Sequence, residues 1–275
     1  MTIVNHDLRS VNAGTIFLVP SPDFINLNRP DVHTPDDIQQ YDIATKYEFN
    51  GKVYHYARAV GTITTNLAVK IYNHQDVGYR IAAATSDVGA TDISVTTTVD
   101  DNLAGVAAED ELKGGVCVIF EKTLGAGYEQ TFGILGNDAL AAYGTLKIYL
   151  DGPLTQAFTN AIAYAEATAS PWAKVAVSGS TVLVDNLSTN CGVACCHATT
   201  GQWLWVQTWG MVWLSPDADL GAGTNNRDAR FNGDGSLSDG DDTNTTVIAQ
   251  RGGWVATNAF GGGQGAPFVY LMIAR

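Results

Sequence analysis

The residues best suited to hold a metal ion are three thiols and an imidazole in one short stretch, Cys191, Cys195, Cys196 and His197. Thiolate and imidazole are zinc ligands, but a closed zinc site usually takes paired ligands from two separate segments. No matching Cys/His pair lies elsewhere, and the fourth cysteine, Cys117, sits in an apolar run. The alternatives are a zinc site and ordinary buried thiols, and the spacing favours thiols.

A second candidate is a polar loop with the alternating oxygen ligands that calcium prefers. Asn232, Asp234, Ser236 and Asp241 match ligand positions of the twelve-residue calcium loop, and Gly235 matches its sharp turn. The first ligand position holds Arg230, a cation where the loop requires a carboxylate. A glycine-rich surface turn explains the same residues better. We expect no obligate cofactor and, if calcium binds here, a weak structural role for it.

No arrangement of residues predicts catalysis. The sequence lacks a nucleophile elbow, a phosphate-binding glycine loop followed by a helix, and a zinc-protease motif. The five histidines are dispersed along the chain, and the acidic run 109–111 is typical of a solvated turn. The sequence therefore predicts a protein that is not an enzyme.

The charge balance excludes some partners. The 275 residues carry a formal net charge of −13, so a phosphate backbone would repel the chain and we expect no nucleic-acid partner. No signal peptide and no apolar run of about 18 residues is present, which predicts a cytoplasmic product without a membrane span. Hydrophobic residues make up 45% and glycines number 29, a composition typical of many short strands joined by glycine-rich turns.

The most unusual segment is 203–213, in which Trp203, Trp205, Trp209 and Trp213 alternate with other residues. In one regular strand all four tryptophans would share a face. Three interpretations stay open: a central core strand, an aromatic ridge buried between subunits, and a platform on which a sugar ring stacks. The core strand is the favoured interpretation, and the subunit interface is the functional one.

Alternation or continuous apolar character predicts strands elsewhere, at 53–60, 92–99, 115–120, 145–150, 181–184, 246–249 and 267–274. The runs 115–120 and 267–274 are apolar on both faces, so each should be central in a sandwich or covered by a partner. Two short helices are expected. Thr34 and Pro35 fit the start of one over 34–41, and helical spacing slightly favours another within 153–167 over a strand.

These elements together predict a mostly β fold, sandwich-like or barrel-like, with glycine-rich turns and one or two short helices. Residues 1–45, rich in proline, form an extended N-terminal arm in which Pro20 and Pro22 are candidate interface residues. Residues 46–215 form the main β domain. Residues 216–275 supply a C-terminal loop and closing strands that pack on it.

Four blocks resemble a family of virion proteins, the head decoration or cement proteins of tailed bacteriophages. They are Tyr47–Ala59, Leu150–Leu154, Ser170–Trp172 and Trp205–Gly210, in the expected order. The resemblance implies a β-rich subunit on the outside of an icosahedral head, bound to the major capsid protein and often trimeric. The alternative is a tail or head-fibre protein that binds a host glycan through exposed tryptophans.

Overall fold

A computed structural model of the chain describes residues 10–11, 15–17, 29–72, 76–80, 85–97, 107–121, 129–159, 163–177, 189–214, 220, 227–232, 235–239, 247–257 and 268–275. Within these ranges the regular structure is entirely β, and all but one of the strand pairs are antiparallel. The prediction of a mostly β fold is confirmed.

The strands in chain order are β1 Ser10–Val11, β2 Thr15–Phe17, β3 Lys46–Phe49, β4 Lys52–Arg58, β5 Ala68–Ile71, β6 Asp76–Arg80, β7 Thr85–Ser86, β8 Asp92–Thr96, β9 Val116–Glu121, β10 Gln130–Asn137, β11 Thr145–Leu150, β12 Phe158–Thr159, β13 Ala163–Thr168, β14 Val175–Val177, β15 Asn190–Ala194, β16 Trp203–Trp213, β17 Asp228–Asn232, β18 Leu237–Asp239, β19 Val247–Thr257 and β20 Phe268–Met272.

The chain folds as two compact units, which differ from the boundaries 1–45, 46–215 and 216–275 expected from sequence. Unit 1 contains residues 1–72 and 174–275, and unit 2 contains residues 73–173. The chain leaves unit 1 after β5 and returns at β14, and these strands pair with each other. The N–H of Tyr72 donates to the carbonyl of Lys174 at 2.9 Å. Unit 2 is therefore an insertion in a hairpin of unit 1.

Unit 1 is organised around the long strand β16. One edge of β16 pairs with β4, and the other edge pairs first with β15 and then with β20. The sheet continues from β20 through β19 and β17 to β18. The N–H of Ala68 in β5 donates to the carbonyl of Gly235, which precedes β18, at 3.1 Å. This bond curls the sheet toward a closed, barrel-like form.

Among the described residues of unit 1, two groups of buried side chains lie against β16. The curled sheet encloses an aliphatic core with Phe231 as its aromatic member: Ala68, Val193, Val212, Leu214, Leu220, Ala229, Phe231, Leu237, Val255, Val269 and Leu271. An aromatic cluster lies between β3, β4 and the first half of β16: Tyr47, Tyr54, Tyr56 and Trp205.

Unit 2 is a six-stranded antiparallel sheet in the order β6-β13-β9-β10-β11-β8, with a separate two-stranded ladder of β7 and β12. Its core is aliphatic, and strands β9, β11 and β13 contribute alternate residues to it. The buried side chain of Asn137 fixes the turn before β9. It accepts from the N–H of Leu112 at 2.8 Å and donates to the carbonyls of Ala108 and Asp138, each at 2.9 Å.

Both predicted helices are wrong where the structure describes them. Residues 34–41 are irregular, and the backbone of Asp36 exchanges two hydrogen bonds with that of Trp203, its N–H donating to the carbonyl of Trp203 and its carbonyl accepting from the N–H of Trp203. In 153–167, Ala163–Thr168 is strand β13, because alanines 163, 165 and 167 point into the core while Tyr164 and Glu166 alternate with them. Ala165 fits both a helical spacing with Ala157 and a strand spacing with Ala163 and Ala167, and here sheet pairing with β9 and β6 decides for the strand.

Candidate interaction surface

A bulge in β16 divides its tryptophans between two faces of the sheet. Gln207 lies opposite Tyr54 in β4, and Trp209 lies opposite Val53, so Thr208 is an extra residue on β16. Because Val53 and Tyr54 are neighbours on one strand, they point to opposite faces, and so do Gln207 and Trp209. The prediction that all four tryptophans share a face is wrong, since an extra residue inverts the alternation.

The side chain of Thr208 holds this bulge in place. Thr208 is fully buried, and its hydroxyl donates to the carbonyl of Ala274 at 2.7 Å. Nδ1 of His55 in β4 lies 3.1 Å from the same hydroxyl. His55 is itself buried, and this burial lowers the pKa of its imidazole to about 4. The bulge therefore depends on a neutral histidine beside it.

Before the bulge, the tryptophans belong to the aromatic cluster of unit 1. Trp205 is only 1% exposed, and its ring centroid lies 5.0 Å from that of Tyr56, 5.2 Å from Tyr41 and 5.8 Å from Tyr47. The hydroxyl of Tyr56 donates to Asp36 at 2.6 Å. Burial raises the pKa of Tyr56. Trp203 is half-buried against this cluster, under the guanidinium of Arg58. For Trp205 the core-strand interpretation is confirmed.

After the bulge, the side chains of three strands form a largely apolar surface that we call the aromatic face. Cross-strand pairs place its members side by side: Trp209 with Met272, Met211 with Tyr270, Trp213 with Phe268, and Tyr270 with Trp254. The exposed fractions are 41% for Trp213, 38% for Trp254, 47% for Phe268 and 42% for Met272. The described residues of the chain leave this face partly open, while the opposite side of the same strands forms the aliphatic core.

The rings of the aromatic face hold one another in fixed orientations. Trp254 stacks on Tyr270 with centroids 5.2 Å apart and planes 8° from parallel. Trp209 meets the same tyrosine edge-on at 5.8 Å, and its indole N–H donates to the tyrosine hydroxyl at 3.0 Å. Because these contacts limit rotation, the face loses little side-chain entropy when it binds a partner.

Charged side chains border the aromatic face. Asp228 lies opposite Trp254 and pairs with two guanidinium groups, those of Arg230 at 2.9 Å and of Arg251. At another edge, the guanidinium of Arg275 lies 5.6 Å from the ring centre of Trp209. Among the described side chains of this border, three arginines and one aspartate give a net positive charge, although the whole chain carries −13. The border therefore favours partners with acidic or anionic groups.

The aromatic face explains why the segment 267–274 is apolar on both faces of its strand. Strand β20 is central in its sheet, as predicted, and Val269 and Leu271 are fully buried in the aliphatic core. Its other residues point to the aromatic face. Sequence reasoning did not single out Trp254 or Tyr270, because their role depends on pairing between segments far apart in the chain. The alternation of Phe268, Tyr270 and Met272 with Val269 and Leu271 was the sequence pattern that could have indicated a second apolar face.

The predicted thiol stretch is not assembled into a metal site. Within the described residues, no group of three or more His, Cys, Asp or Glu side chains converges on a point that could hold an ion. Cys191 and Cys196 are buried while His197 is exposed. Burial raises the pKa of Cys191 and of Cys195 to about 12 and that of Cys196 to about 11, so all three are neutral thiols at pH 7.

The predicted calcium loop contains the turn of the β17–β18 hairpin. Asn232 and Ser236 are buried and bonded to each other, with Asn232 donating to the Ser236 hydroxyl at 3.0 Å. The carbonyl oxygen of the Asn232 side chain accepts from Ser238 at 3.0 Å. The described geometry is that of a hairpin turn whose polar side chains hydrogen-bond to one another. Asp234 and Asp241 lie outside the described residues, so calcium binding stays a prediction. The candidate interface residues Pro20 and Pro22 and the predicted strand 181–184 also lie outside the described residues.

Comparisons of the chain with family models, with curated proteins and with solved structures find no match. Among the described residues, no helix is long and apolar enough to cross a membrane.

Proposed function

We propose that this chain is a virion structural protein, a decoration or cement subunit that binds the major capsid protein on the outside of a tailed-bacteriophage head. The observation that carries the proposal is the aromatic face, on which Trp213, Trp254, Phe268 and Met272 are each at least 38% exposed. Aromatic residues, methionine and arginine are the types enriched in the cores of protein interfaces. This surface is suited to bind another protein subunit.

The rest of the molecule fits this role. A net charge of −13 keeps the subunit soluble at high concentration and away from the packaged nucleic acid. Many copies bound at symmetry-related positions add weak contacts through multivalency, so one modest surface per subunit suffices. The N-terminal segment with Pro20 and Pro22 is a further candidate contact with a neighbour. We expect the free protein to be a homo-oligomer, with a trimer favoured.

Purified virus particles from the producing host test the location. Gold-conjugated antibodies against the chain should label the head surface in electron micrographs. Labelling of the tail or fibres would contradict the decoration role and favour the alternative below. A particle preparation that lacks the polypeptide by mass spectrometry would overturn both.

Binding of the purified chain to undecorated heads tests the surface. A Trp213→Ala, Phe268→Ala double variant should lower head occupancy at least about tenfold, because interface aromatics carry a large share of binding free energy. Tyr143→Ala is the matched control, since Tyr143 is 50% exposed but lies in unit 2. Equal occupancy of the double variant and the control would show that the aromatic face is not the contact. Light scattering on the same samples measures the oligomeric state.

A second candidate function is recognition of a host glycan by a tail or head-fibre protein. The specific observation is the position of Asp228, Arg230 and Arg251 beside the exposed ring of Trp254. Stacking on an aromatic ring combined with charged hydrogen-bonding groups is a chemistry that suits sugars. Quenching of tryptophan fluorescence by acrylamide separates the candidates. Protection of Trp213 and Trp254 by saccharides favours glycan binding, and protection only on assembly favours the decoration subunit.

A further inference from the structure

A bulge in β19 places two arginines side by side at the border of the aromatic face. Arg251 lies opposite Arg230 of β17, and the pairing shifts by one residue at Gly252. Arg251 and Trp254 are three residues apart, so in a regular strand they would point to opposite faces. Because the extra residue shifts the alternation, both point to the same face. A Cβ atom at Gly252 would lie 3.1 Å from the buried ring of Phe231, so the bulge favours glycine.

One carboxylate holds both guanidinium groups. Asp228 lies opposite Trp254, and therefore on the same face of the sheet. Nε of Arg230 donates to one oxygen of Asp228 at 2.9 Å, and Nε of Arg251 pairs with the other oxygen. The same Nε of Arg251 donates to the carbonyl of Gly253 at 3.3 Å. Two cations directly opposite each other repel, and Asp228 compensates for one of them. The arrangement therefore keeps one positive charge in excess.

The two arginines, which we call the arginine pair, can still bind a second carboxylate. In both of them the atom that pairs with Asp228 is Nε, whereas the two terminal amino groups of a guanidinium carry the parallel N–H donors that fit a carboxylate. The side chain of Arg251 is 58% exposed and that of Arg230 is 39% exposed, so an anion can reach them from solvent. Within the described residues, the acidic partner of both is Asp228.

We propose that the arginine pair binds the carboxylate of an acidic side chain on the subunit that docks on the aromatic face. This inference rests on the proposed function and adds the chemistry of the capsid protein segment, which is an Asp or Glu flanked by apolar residues that cover Trp254 and its neighbours. One carboxylate matches the one excess charge, whereas a chain of net charge −13 repels a polyanion such as nucleic acid. Docking removes water around the ion pair and thereby strengthens it. Asp228 is a positioning residue.

Binding of Arg251→Gln to undecorated heads at several salt concentrations tests the arginine pair. The variant should bind about three- to tenfold more weakly at low salt, and its affinity should depend less on salt, because one interfacial ion pair is lost. Lys147→Gln is the matched control. It makes the same change in net charge in unit 2, where Lys147 pairs with Asp92, and should bind like the parent chain. Equal binding of the two variants would overturn the inference, and the proposed function would stand if the Trp213→Ala, Phe268→Ala variant still loses binding.

Asp228→Asn separates a positioned arginine pair from general attraction between charges. The substitution makes the border more positive but releases both guanidinium groups. We expect weaker head binding than in the parent chain, because the guanidinium groups lose their fixed positions. Unchanged or stronger binding would show that position does not matter and would overturn the inference. The melting temperature of each variant shows that it is folded.

A peptide titration tests the arginine pair without heads, so it decides even if the chain does not bind them. Acetyl-Leu-Glu-Leu-amide should shift the Nε–H signals of Arg230 and Arg251 in the NMR spectrum of the intact chain at a lower concentration than acetyl-Leu-Gln-Leu-amide. Loss of each signal in Arg230→Gln or Arg251→Gln assigns it. Equal effects of the two peptides would overturn the inference. Dissociation of a free homo-oligomer by Arg251→Gln would assign the carboxylate to a second copy and overturn the capsid partner.

Discussion

The two halves of β16 contain the same kind of residue in opposite situations. Trp205 is enclosed by three tyrosines and is 1% exposed, whereas Trp213 lies on the open aromatic face and is 41% exposed. The half before the bulge contributes its indoles to the buried cluster, and the half after it leaves them on the partly open aromatic face. The difference arises from one inserted residue, Thr208, and not from composition. A single strand can therefore build both a core and an exposed aromatic surface.

Removing the bulge while keeping Thr208 should have the largest effect. Insertion of one alanine between Val53 and Tyr54 would give Thr208 a partner on β4 and restore regular alternation, which moves Trp209 and Trp213 toward the aliphatic core and Val212 and Leu214 outward. We expect loss of the folded state, seen as loss of the near-ultraviolet circular dichroism of the tryptophans. Thr208→Ala keeps the register and removes only the hydroxyl contacts, so it should cost about 1–3 kcal/mol. A stable insertion variant would show that the bulge does not set the faces.

Truncating the enclosed tryptophan should come next. Trp205→Ala should lower the free energy of unfolding by about 3–5 kcal/mol, because it leaves a large cavity among Tyr41, Tyr47 and Tyr56. Chemical denaturation measures this value. A loss of less than about 1 kcal/mol would mean that the cluster is not part of the core.

Acid should weaken the bulge through His55. The folded state holds the pKa of this imidazole at about 4, below its ordinary 6.5, so the unfolded chain binds the proton more readily. The stability contributed by neutral His55 is full above pH 6.5 and is lost as the pH falls toward 4, by about 3 kcal/mol in total. Unfolding measured across this range should show that His55→Gln has a weaker pH dependence than the parent chain. Identical profiles would contradict the assignment.

The exposed tryptophan should have the smallest effect on folding. Trp213→Ala should change the free energy of unfolding by less than about 1 kcal/mol, since its ring is partly solvated. The same substitution should weaken subunit binding far more than it changes stability. A large loss of stability in the isolated monomer would place Trp213 in the core and remove the contrast with Trp205.

Sequence patterns predicted several strands well, although both helices were wrong. Strand β11 has the bounds expected for 145–150, because Leu146, Ile148 and Leu150 alternate with residues that point away from the core. The bulge could not be predicted, since Gln207, Thr208 and Trp209 continue the alternation of types without a break. The inserted unit was missed for a related reason. Its boundaries depend on the pairing of β5 with β14, and these strands lie about a hundred residues apart.

The aromatic face illustrates a further limit. The parts of the face in β16 and β20 were visible as apolar strands, whereas the predicted strand 246–249 ended before Trp254. The fact that Trp254, Tyr270 and Met211 lie in one row comes from the ladder register. Surfaces and sites that join distant strands need the structure.

The hydrogen bond between Tyr72 and Lys174 has a consequence for how the chain folds during synthesis. Joining β5 to β14 across a flexible loop of that length would cost about 4 kcal/mol of chain entropy. If unit 2 folds first, while the ribosome is still adding the C-terminal strands, its two ends already lie close together and most of that cost is removed. Prior folding of unit 2 would then favour the pairing of β5 with β14.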